Sequence, residues 1–201
     1  MLPCSGRFTC TVRTAPCGAG ESPRGGADSA LGAGGRFRSP RRVPSPGEVI
    51  VVCTANVCRS PMAAALLQHA LAAEPGPLQA CRVVSAGVVA RAGDPVTPHS
   101  VAALRKVGLD IAGHLSRPLT QTMMDGALAV LCMTEGHREM IRLRADPVPR
   151  HLYLFREFIE ATPEREIGDP FGGPAALYES VRDEMVEAIP GLVRRLRQLA
   201  G

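Results

Sequence analysis

The chain has 201 residues with 23 basic and 19 acidic side chains, and its formal charge is +4. Hydrophobic residues make up 45% of it, which excludes disorder of the whole chain. No apolar run approaches the roughly 20 residues of a membrane span. Aromatic residues make up only 3%, which argues against nucleic-acid binding by stacked aromatic side chains.

The positive charge is concentrated near the N-terminus. Residues 1–47 contain seven Arg and two acidic residues, with nine Gly and six Pro, whereas residues 48–201 carry a net charge of −1. The first segment shows neither helical nor strand periodicity, so we interpret 1–47 as a disordered or spurious extension. Its Arg-rich, acid-poor composition also fits an organellar targeting segment, and this alternative stays open. Residues 48–201 are the predicted domain.

Strands and helices alternate along this domain. Short apolar or β-branched runs predict strands over 48–53, 80–85, 127–132 and 151–155. Helical patterns predict helices over 62–73, 98–108, 135–143 and 175–199, with Ser60 as the N-cap of the first helix and Pro61 directly after it. This order predicts an α/β fold with a mainly parallel sheet, whose site lies at the carboxyl ends of the strands.

Two cysteines end predicted strands and are followed six positions later by an arginine. The pairs are Cys53 with Arg59 and Cys132 with Arg138. With seven Cys and 22 Arg in the chain, chance alone supplies about one such pair. The first loop has no acid and begins with small residues, as an anion cradle made of backbone N–H groups requires. The second contains Glu135, so we predict a buried thiol at Cys132 and a surface charge at Arg138.

The first loop also has the features of a reactive-thiol site. Cys53 precedes a helix N-terminus, whose partial positive charge favours a thiolate. Arg59 adds a cation with a planar fork that fits two phosphate oxygens. A thiolate is the nucleophilic form of cysteine. The alternative, an inert core thiol, does not explain why strand, loop, helix start and Arg occur together.

Residues 52–63, Val-Cys-Thr-Ala-Asn-Val-Cys-Arg-Ser-Pro-Met-Ala, resemble the signature of the low-molecular-weight protein tyrosine phosphatases. Further segments resemble this family in the same order: Ser85-Ala86-Gly87, Thr97-Pro98-His99, Gly108-Leu109-Asp110, Met133-Thr134 and Asp169-Pro170-Phe171-Gly172-Gly173. The resemblance covers about 48–200. Together with the element order, it implies a three-layer α/β/α fold with a four-stranded parallel sheet and a phosphate-binding loop after strand 1.

The resemblance implies hydrolysis of a phosphate ester without metal or cofactor. Cys53 attacks phosphorus and forms a phosphocysteine, Arg59 and the loop N–H groups hold the phosphate, and Asp169 is the general acid. The implied phosphate-binding loop comprises Thr54, Ala55, Asn56, Val57, Cys58 and Ser60; Asn56 braces it and Ser60 hydrogen-bonds the Cys53 sulfur. Relatives with a second loop cysteine form a protective disulfide, which suggests a redox role for Cys58, with simple packing as the alternative.

Val57 and Phe171 are the predicted specificity residues, and they point to different substrates. Bacterial relatives that remove phosphate from arginine share the Asp-Pro-Phe-Gly-Gly and Thr-Pro-His segments. Those relatives typically have Thr at the position of Val57, whereas tyrosine-specific relatives have an aliphatic residue. Val lacks the hydroxyl that would hydrogen-bond a guanidinium, so we predict phosphotyrosine hydrolysis, with phosphoarginine hydrolysis as the alternative.

Two less favoured functions use the same fold. An arsenate reductase relays a disulfide through two further thiols, and the segment after Cys132 lacks the second. A phosphoryl carrier with a stable phosphocysteine needs neither Arg59 nor Asp169. An odd number of cysteines and the lack of an export signal predict a cytoplasmic protein with reduced thiols. We expect a monomer that acts on a phosphorylated protein, with no nucleic-acid or membrane partner.

Overall fold

The apolar run that follows Gly47 forms an interior strand of a parallel sheet. The computed structural model describes residues 47–160 and 162–201, so the extension predicted for 1–47 lies, apart from Gly47, outside the described residues. The elements in chain order are strand β1 (Glu48–Cys53), helix α1 (Arg59–Ala72), a 3₁₀ turn (Gly76–Ala80), β2 (Arg82–Gly87), α2 (Pro98–Arg105), α3 (Gln121–Asp125), β3 (Ala127–Cys132), α4 (Glu135–Arg144), β4 (Leu152–Leu154) and α5 (Ala175–Ala200).

The four strands pair in the order β2-β1-β3-β4, and every pairing is parallel. Parallel register brings the carboxyl ends of the strands to one edge of the sheet. Cys53 at the end of β1 pairs with Gly87 of β2, and its neighbour Val52 pairs with Cys132 of β3. The predicted four-stranded parallel sheet is therefore confirmed, and its carboxyl edge carries the cysteine of interest.

Strand β1 is buried on both faces. Val51 belongs to one apolar cluster with Met185 of α5, and the next residue, Val52, belongs to a second cluster with Ile141 of α4. Successive strand side chains point to opposite faces, so these two clusters lie on opposite sides of the sheet. Helices cover both faces, which is why β1 is an uninterrupted apolar run and why the fold has three layers.

Helix α5 spans 26 residues and is the longest element of the described chain. Its buried residues include Tyr178, Met185, Leu192 and Leu196, a spacing that follows one face of a helix. The other face carries charged residues. Within the described part of the chain, no helix is long and apolar enough to span a lipid bilayer.

The start of β2 differs from the prediction by two residues. The strand begins at Arg82 rather than at Ala80, because Gly76–Ala80 forms a 3₁₀ turn. The side chain of Gln68 in α1 then fixes the strand start: it donates to the carbonyl of Cys81 (3.2 Å) and accepts from the N–H of Val83 (2.8 Å). This long-range pair overrides the local apolar pattern.

The predicted N-cap at Ser60 is wrong. Helix α1 begins at Arg59, and its N-cap is Cys58, two residues before the predicted one. The Ser60 hydroxyl instead accepts a hydrogen bond from the Asn56 side chain (2.9 Å) and lies 3.0 Å from the Cys53 sulfur. Pro61 remains within the first turn, where the backbone N–H groups have no intrahelical acceptor.

Candidate active site

The loop between β1 and α1 has its carbonyl groups hydrogen-bonded to the surrounding protein. Four carbonyl oxygens accept bonds from outside the loop: that of Cys53 from Val88 N–H (3.0 Å), Thr54 from Val89 N–H (3.1 Å), Asn56 from His114 Nε2 (3.0 Å) and Val57 from Thr97 N–H (2.9 Å). The C=O of one residue and the N–H of the next point in opposite directions across a trans peptide. The loop N–H groups that follow these carbonyls therefore face away from the surrounding protein and form a cradle of the kind that binds anions.

Asn56 lies at the bend of this loop. Its φ of 59° is in the left-handed region, which Asn tolerates better than most residues. The buried side chain fixes the bend, since its amide nitrogen donates to Ser60 and Ser85 (2.9 Å each) and its oxygen accepts from the N–H of Arg117 (3.0 Å). The bracing contacts that the resemblance implied for Asn56 are thus present, and they extend to β2.

Gly87, at the end of β2, lies directly beneath the loop. A Cβ added there would be 2.6 Å from the carbonyl oxygen of Thr54 and 3.0 Å from the carbonyl carbon of Ala55. Both contacts are with backbone atoms, which cannot rotate away. Glycine is therefore required at this position for the loop to approach the sheet as closely as it does.

Cys53 is buried, with 3% of its surface exposed. Its Sγ accepts from the backbone N–H of Asn56 (3.3 Å) and lies 3.0 Å from Ser60 Oγ. The Ser60 hydroxyl, which also lies 3.3 Å from the carbonyl oxygen of Ala86, is close enough to donate to the sulfur as well. The predicted contact between Ser60 and the Cys53 sulfur is present.

Arg59 and Asp169 are 110 residues apart in sequence and form an ion pair. Arg59 Nη2 lies 2.6 Å from Asp169 Oδ2, and Arg59 Nη1 donates to the carbonyl of Ile167 (3.2 Å). The Arg59 side chain is 5% exposed, whereas that of Asp169 is 50% exposed. A buried cation is thus held in place by the loop that carries the half-exposed carboxyl group.

These residues surround a cavity of about 160 Å³, lined by Cys53, Thr54, Ala55, Val57, Cys58, Arg59, Asp169 and Phe171. All three predicted catalytic residues line it, whereas Asn56 and Ser60 are fully buried below the loop. A larger cavity, about 360 Å³, lies against α5 and contains none of them. Cavity size alone therefore does not distinguish the cavity that contains Cys53.

Val57 and Phe171, the predicted specificity residues, both line the cavity. Phe171 is 68% exposed, so its ring stands at the mouth. Asp169 accepts from the N–H of Phe171 (3.2 Å), which couples the positions of the carboxylate and the ring. The structure brings together an anion cradle, a thiol, one acid and an apolar wall.

Cys58 is buried beside the cavity. Its Sγ lies 3.4 Å from Thr97 Oγ1 and 3.9 Å from Tyr178 Oη. Burial raises the pKa of the Cys58 thiol above its usual value. A thiol with a raised pKa is a weak nucleophile near neutral pH.

Cys132 is buried as the sequence predicts, whereas the side chain of Arg138 is partly buried, with 18% of its surface exposed. Cys132 is fully buried at the end of β3, and burial raises its pKa to about 12. Arg138 forms ion pairs with Glu135 (2.5 Å) and Glu157 (3.1 Å) at the protein surface. Neither residue lines the cavity that contains Cys53.

Sequence reasoning missed several residues around the site. Ser85 and His114 contact Asn56, but neither is assigned a role from sequence, although Ser85 begins a segment that resembles the family. His137 is likewise assigned no role from sequence, yet its Nε2 lies 2.9 Å from Thr54 Oγ1 in the loop. Among residues 47–160 and 162–201, no cluster of three or more His, Cys, Asp or Glu could hold a metal ion.

Comparisons with known proteins identify the family of the chain. The family described as low molecular weight phosphotyrosine protein phosphatase matches residues 48–200. A probable low molecular weight protein-tyrosine-phosphatase, EpsP of Ralstonia nicotianae, is 30% identical over 75% of the chain and 97% of its own length.

Similar solved structures include two of arginine phosphatases. The YwlE arginine phosphatase from Geobacillus stearothermophilus is 38% identical, with a TM-score of 0.67 over 76% of this chain and 94% of its own. A cysteine-to-serine mutant of YwlE arginine phosphatase with a phosphorylated active site serine is 33% identical, with a TM-score of 0.66 over 75% and 96%.

Proposed function

Because the chain belongs to the low molecular weight protein phosphatase family, whose members are cysteine-based phosphatases, we propose that it hydrolyses phosphotyrosine in proteins. The proposal makes Cys53 the nucleophile, Arg59 and the loop N–H groups the phosphate ligands, and Asp169 the general acid. The observation that carries it is the apolar wall of a cavity that also contains a thiol, an arginine and an acid.

In the first step the Cys53 thiolate attacks phosphorus and the bond from phosphorus to the phenolic oxygen breaks. Phosphoryl transfer spreads charge over the equatorial oxygens, which the loop N–H groups and Arg59 stabilise. Asp169 donates its proton to the leaving phenolate, whose conjugate acid has a pKa of about 10 and which is therefore a poor leaving group without that proton.

In the second step a water molecule attacks the phosphorus of phosphocysteine. Asp169, now a carboxylate, accepts the proton from that water, and the bond between phosphorus and sulfur breaks. The products are inorganic phosphate and the Cys53 thiolate, which the N–H of Asn56 and the Ser60 hydroxyl are placed to stabilise. The half-exposed position of Asp169 suits a group that must exchange protons with substrate and with water.

The cavity wall supports an aryl substrate. Val57 and Ala55 present methyl groups, and the exposed Phe171 ring can pack against a phosphorylated side chain at the mouth. A phenyl ring needs no hydrogen-bond acceptor, and apolar contact with these side chains removes its surface from water.

Phosphoarginine is the second candidate, and the similarity to the arginine phosphatase of Geobacillus stearothermophilus favours it. A guanidinium presents several N–H donors, each of which needs an acceptor once it is buried. Among the cavity side chains, Asp169 can accept such bonds, whereas Val57 cannot. Loss of one acceptor can change specificity by orders of magnitude, which is why we place phosphotyrosine first.

The preference for phosphotyrosine over phosphoarginine can be tested with three proteins: wild type, Val57→Thr and Val57→Ile. Each is assayed on a phosphotyrosine peptide and a phosphoarginine peptide of the same sequence. Thr has the shape of Val and adds a hydroxyl, and Ile is the matched control that adds only a methylene. We expect wild type to favour phosphotyrosine, and Val57→Thr to shift the kcat/KM ratio towards phosphoarginine by about 10-fold or more. A wild-type preference for phosphoarginine would reverse the assignment.

The proposal also includes a monomeric enzyme that acts on phosphorylated proteins in the cytoplasm. Proteins of a reducing compartment keep their thiols reduced, and the odd number of cysteines in the chain argues against a disulfide framework. Light scattering of the purified protein tests the oligomeric state, and fractionation of native cells tests the location.

A further inference from the structure

His137 links helix α4 to the phosphate-binding loop through a chain of hydrogen bonds. Its Nε2 lies 2.9 Å from Thr54 Oγ1, and Thr54 Oγ1 in turn accepts from Arg59 Nη2 (3.3 Å). On the other side of the ring, Nδ1 lies 2.8 Å from Thr134 Oγ1. Four side chains, Thr134, His137, Thr54 and Arg59, thus form one connected series that ends at the cation.

The His137 ring is fixed at both nitrogens and is 6% exposed. Thr134 is the N-cap of α4 and also accepts from the backbone N–H of His137 (3.3 Å), so the helix start orients the ring. Burial, reinforced by the nearby Arg59 cation, lowers the pKa of His137 to about 4. The imidazole is therefore neutral near pH 7, with one N–H and one lone pair.

One proton order satisfies the whole series. Arg59 has only donors, so Thr54 accepts from it and is free to donate its own hydroxyl proton to His137 Nε2. Nδ1 then carries the ring proton and donates it to Thr134. A protonated imidazole would lack the lone pair that this order needs at Nε2, which is why a neutral ring fits the arrangement.

We propose that His137 is a positioning residue, which holds the Thr54 hydroxyl and through it the Arg59 guanidinium in the orientation that phosphoryl transfer requires. This inference rests on the proposed phosphatase function. His137 does not line the cavity and acts only through Thr54.

Arg59 depends on this support most during the chemical step. Asp169 holds Arg59 Nη2 at 2.6 Å, but Asp169 is released from that pair when it carries the proton for the leaving group. The contacts that then orient the guanidinium are those with Thr54, on Nη2, and with the Ile167 carbonyl, on Nη1. Two anchors on different nitrogens fix the plane of the fork, whereas one leaves it free to rotate.

A matched pair of variants tests the proposal. The side chain of Gln reaches the position of Nε2 and keeps a partner for Thr54, whereas that of Asn ends near Nδ1 and keeps only Thr134. With p-nitrophenyl phosphate and a phosphotyrosine peptide, we expect His137→Gln to stay within about 3-fold of wild type in kcat. His137→Asn should lose up to about 100-fold, as expected for a misplaced catalytic group. Equal kcat values for the two variants at equal thermal stability would overturn the proposal.

Two variants of Thr54 form a second matched pair, and they leave the buried His137 ring in place. Thr54→Val keeps the shape and removes the hydroxyl, and Thr54→Ser keeps the hydroxyl. We expect Thr54→Val to lose activity as His137→Asn does, and the double variant to lose no more than either single variant, because both changes break one contact. Effects that multiply in the double variant would contradict a shared path.

Vanadate binding, measured by calorimetry, tests the positioning role of His137 without requiring turnover. Its result can therefore be distinguished from a failure of the proposed hydrolytic function. Vanadate adopts the five-coordinate geometry of the transition state, so we expect His137→Asn to weaken vanadate binding more than inorganic phosphate binding. Wild type that binds vanadate without turnover would overturn the hydrolytic function alone. Unchanged vanadate affinity in His137→Asn would overturn the positioning role alone.

Discussion

The molecule contains two segments with the same cysteine-to-arginine spacing, and they differ in every property that matters for reactivity. Each begins with a buried cysteine at the carboxyl end of a parallel strand, β1 or β3. After Cys53 a five-residue loop precedes the helix, whereas after Cys132 the helix begins only three residues later, at Glu135. The longer connection gives the first segment room for a backbone cradle.

The arginines of the two segments differ in their partners. Arg59 is 5% exposed and directed to the cavity, whereas Arg138 is paired with two surface glutamates. Carboxylates supplied by the second segment's own helix would repel a phosphate. The spacing between cysteine and arginine therefore says little about reactivity. Loop length and local charge distinguish the two segments.

Replacing each cysteine by serine gives the largest expected contrast. Cys53→Ser should lose at least about 10⁴-fold in kcat, since removal of a nucleophile leaves only binding and electrostatic stabilisation. Cys132→Ser should keep turnover within a few fold, because that thiol is buried away from the cavity. Steady-state kinetics on folded protein checks both. A folded Cys132→Ser variant without activity would break the comparison.

Replacing each arginine by lysine should give a smaller contrast in activity than replacing the cysteines, but still a large one. Arg59→Lys removes the fork and the contacts with Thr54 and Ile167, and should cost about 10³-fold in kcat/KM. Arg138→Lys changes a surface pair and should leave kcat/KM unchanged, with at most about 1 kcal/mol lost from the free energy of unfolding. Equal losses in the two variants would show that the spacing itself carries the function.

The carboxyl partner of each arginine gives a third contrast. Asp169→Asn removes the proton donor and should lower kcat about 100-fold for a phosphotyrosine peptide. The loss should be much smaller for p-nitrophenyl phosphate, whose leaving group needs less protonation. Glu157→Gln, the matched change beside Arg138, should affect neither substrate. A loss that is the same for both leaving groups would argue against general-acid catalysis.

Recovery of activity after oxidation by peroxide should differ between the cysteine variants. Peroxide converts the Cys53 thiolate to a sulfenic acid, which can condense with the Cys58 thiol to a disulfide with release of water. Dithiothreitol should then restore most of the activity of wild type and of Cys132→Ser, but little of that of Cys58→Ser. Full recovery of Cys58→Ser would leave Cys58 with a packing role only.

His137, the residue before Arg138, is where the two segments meet, and it gives the smallest expected effect. Its pKa is about 4 in the folded protein and about 6.5 in the unfolded protein. The charged groups near its ring in the folded protein are Arg59 and Asp169. Between these values the unfolded state binds more protons, so stability is full above pH 6.5 and falls as the pH is lowered towards 4. The slope is up to about 1.4 kcal/mol per pH unit.

Urea unfolding of wild type and His137→Gln from pH 4 to pH 7.5 measures this slope. The other histidines are common to both proteins, so the difference between the two curves belongs to His137. Parallel curves would mean that His137 has the same pKa in the folded and unfolded states, which would contradict the lowering of its pKa by burial.

Local sequence pattern predicted the strands, the α/β layering and the residues of the phosphate-binding loop, because these depend on neighbouring residues. Asp169 could be placed through the family resemblance and not through spacing, since its contact with Arg59 spans 110 residues. Thr97 was recognised as a helix start, but its bond to the Val57 carbonyl was not foreseeable.

The errors have a common cause. Ser60 has the local features of an N-cap, and its hydroxyl is taken by Asn56 and Cys53. The sequence around His137 does not identify a partner for its ring, and Thr54, which it contacts, lies 83 residues away. Where a polar side chain bonds across the fold, its role depends on a partner that local pattern does not contain.

The glycine beneath the loop has a consequence for protein design. Because a Cβ at Gly87 would collide with backbone atoms of Thr54 and Ala55, the height of the loop above the sheet is set by a neighbouring strand. Grafting residues 53–60 onto another parallel sheet would therefore require a glycine at the matching register of the adjacent strand. The transferable unit is the loop together with one backbone position that carries no side chain.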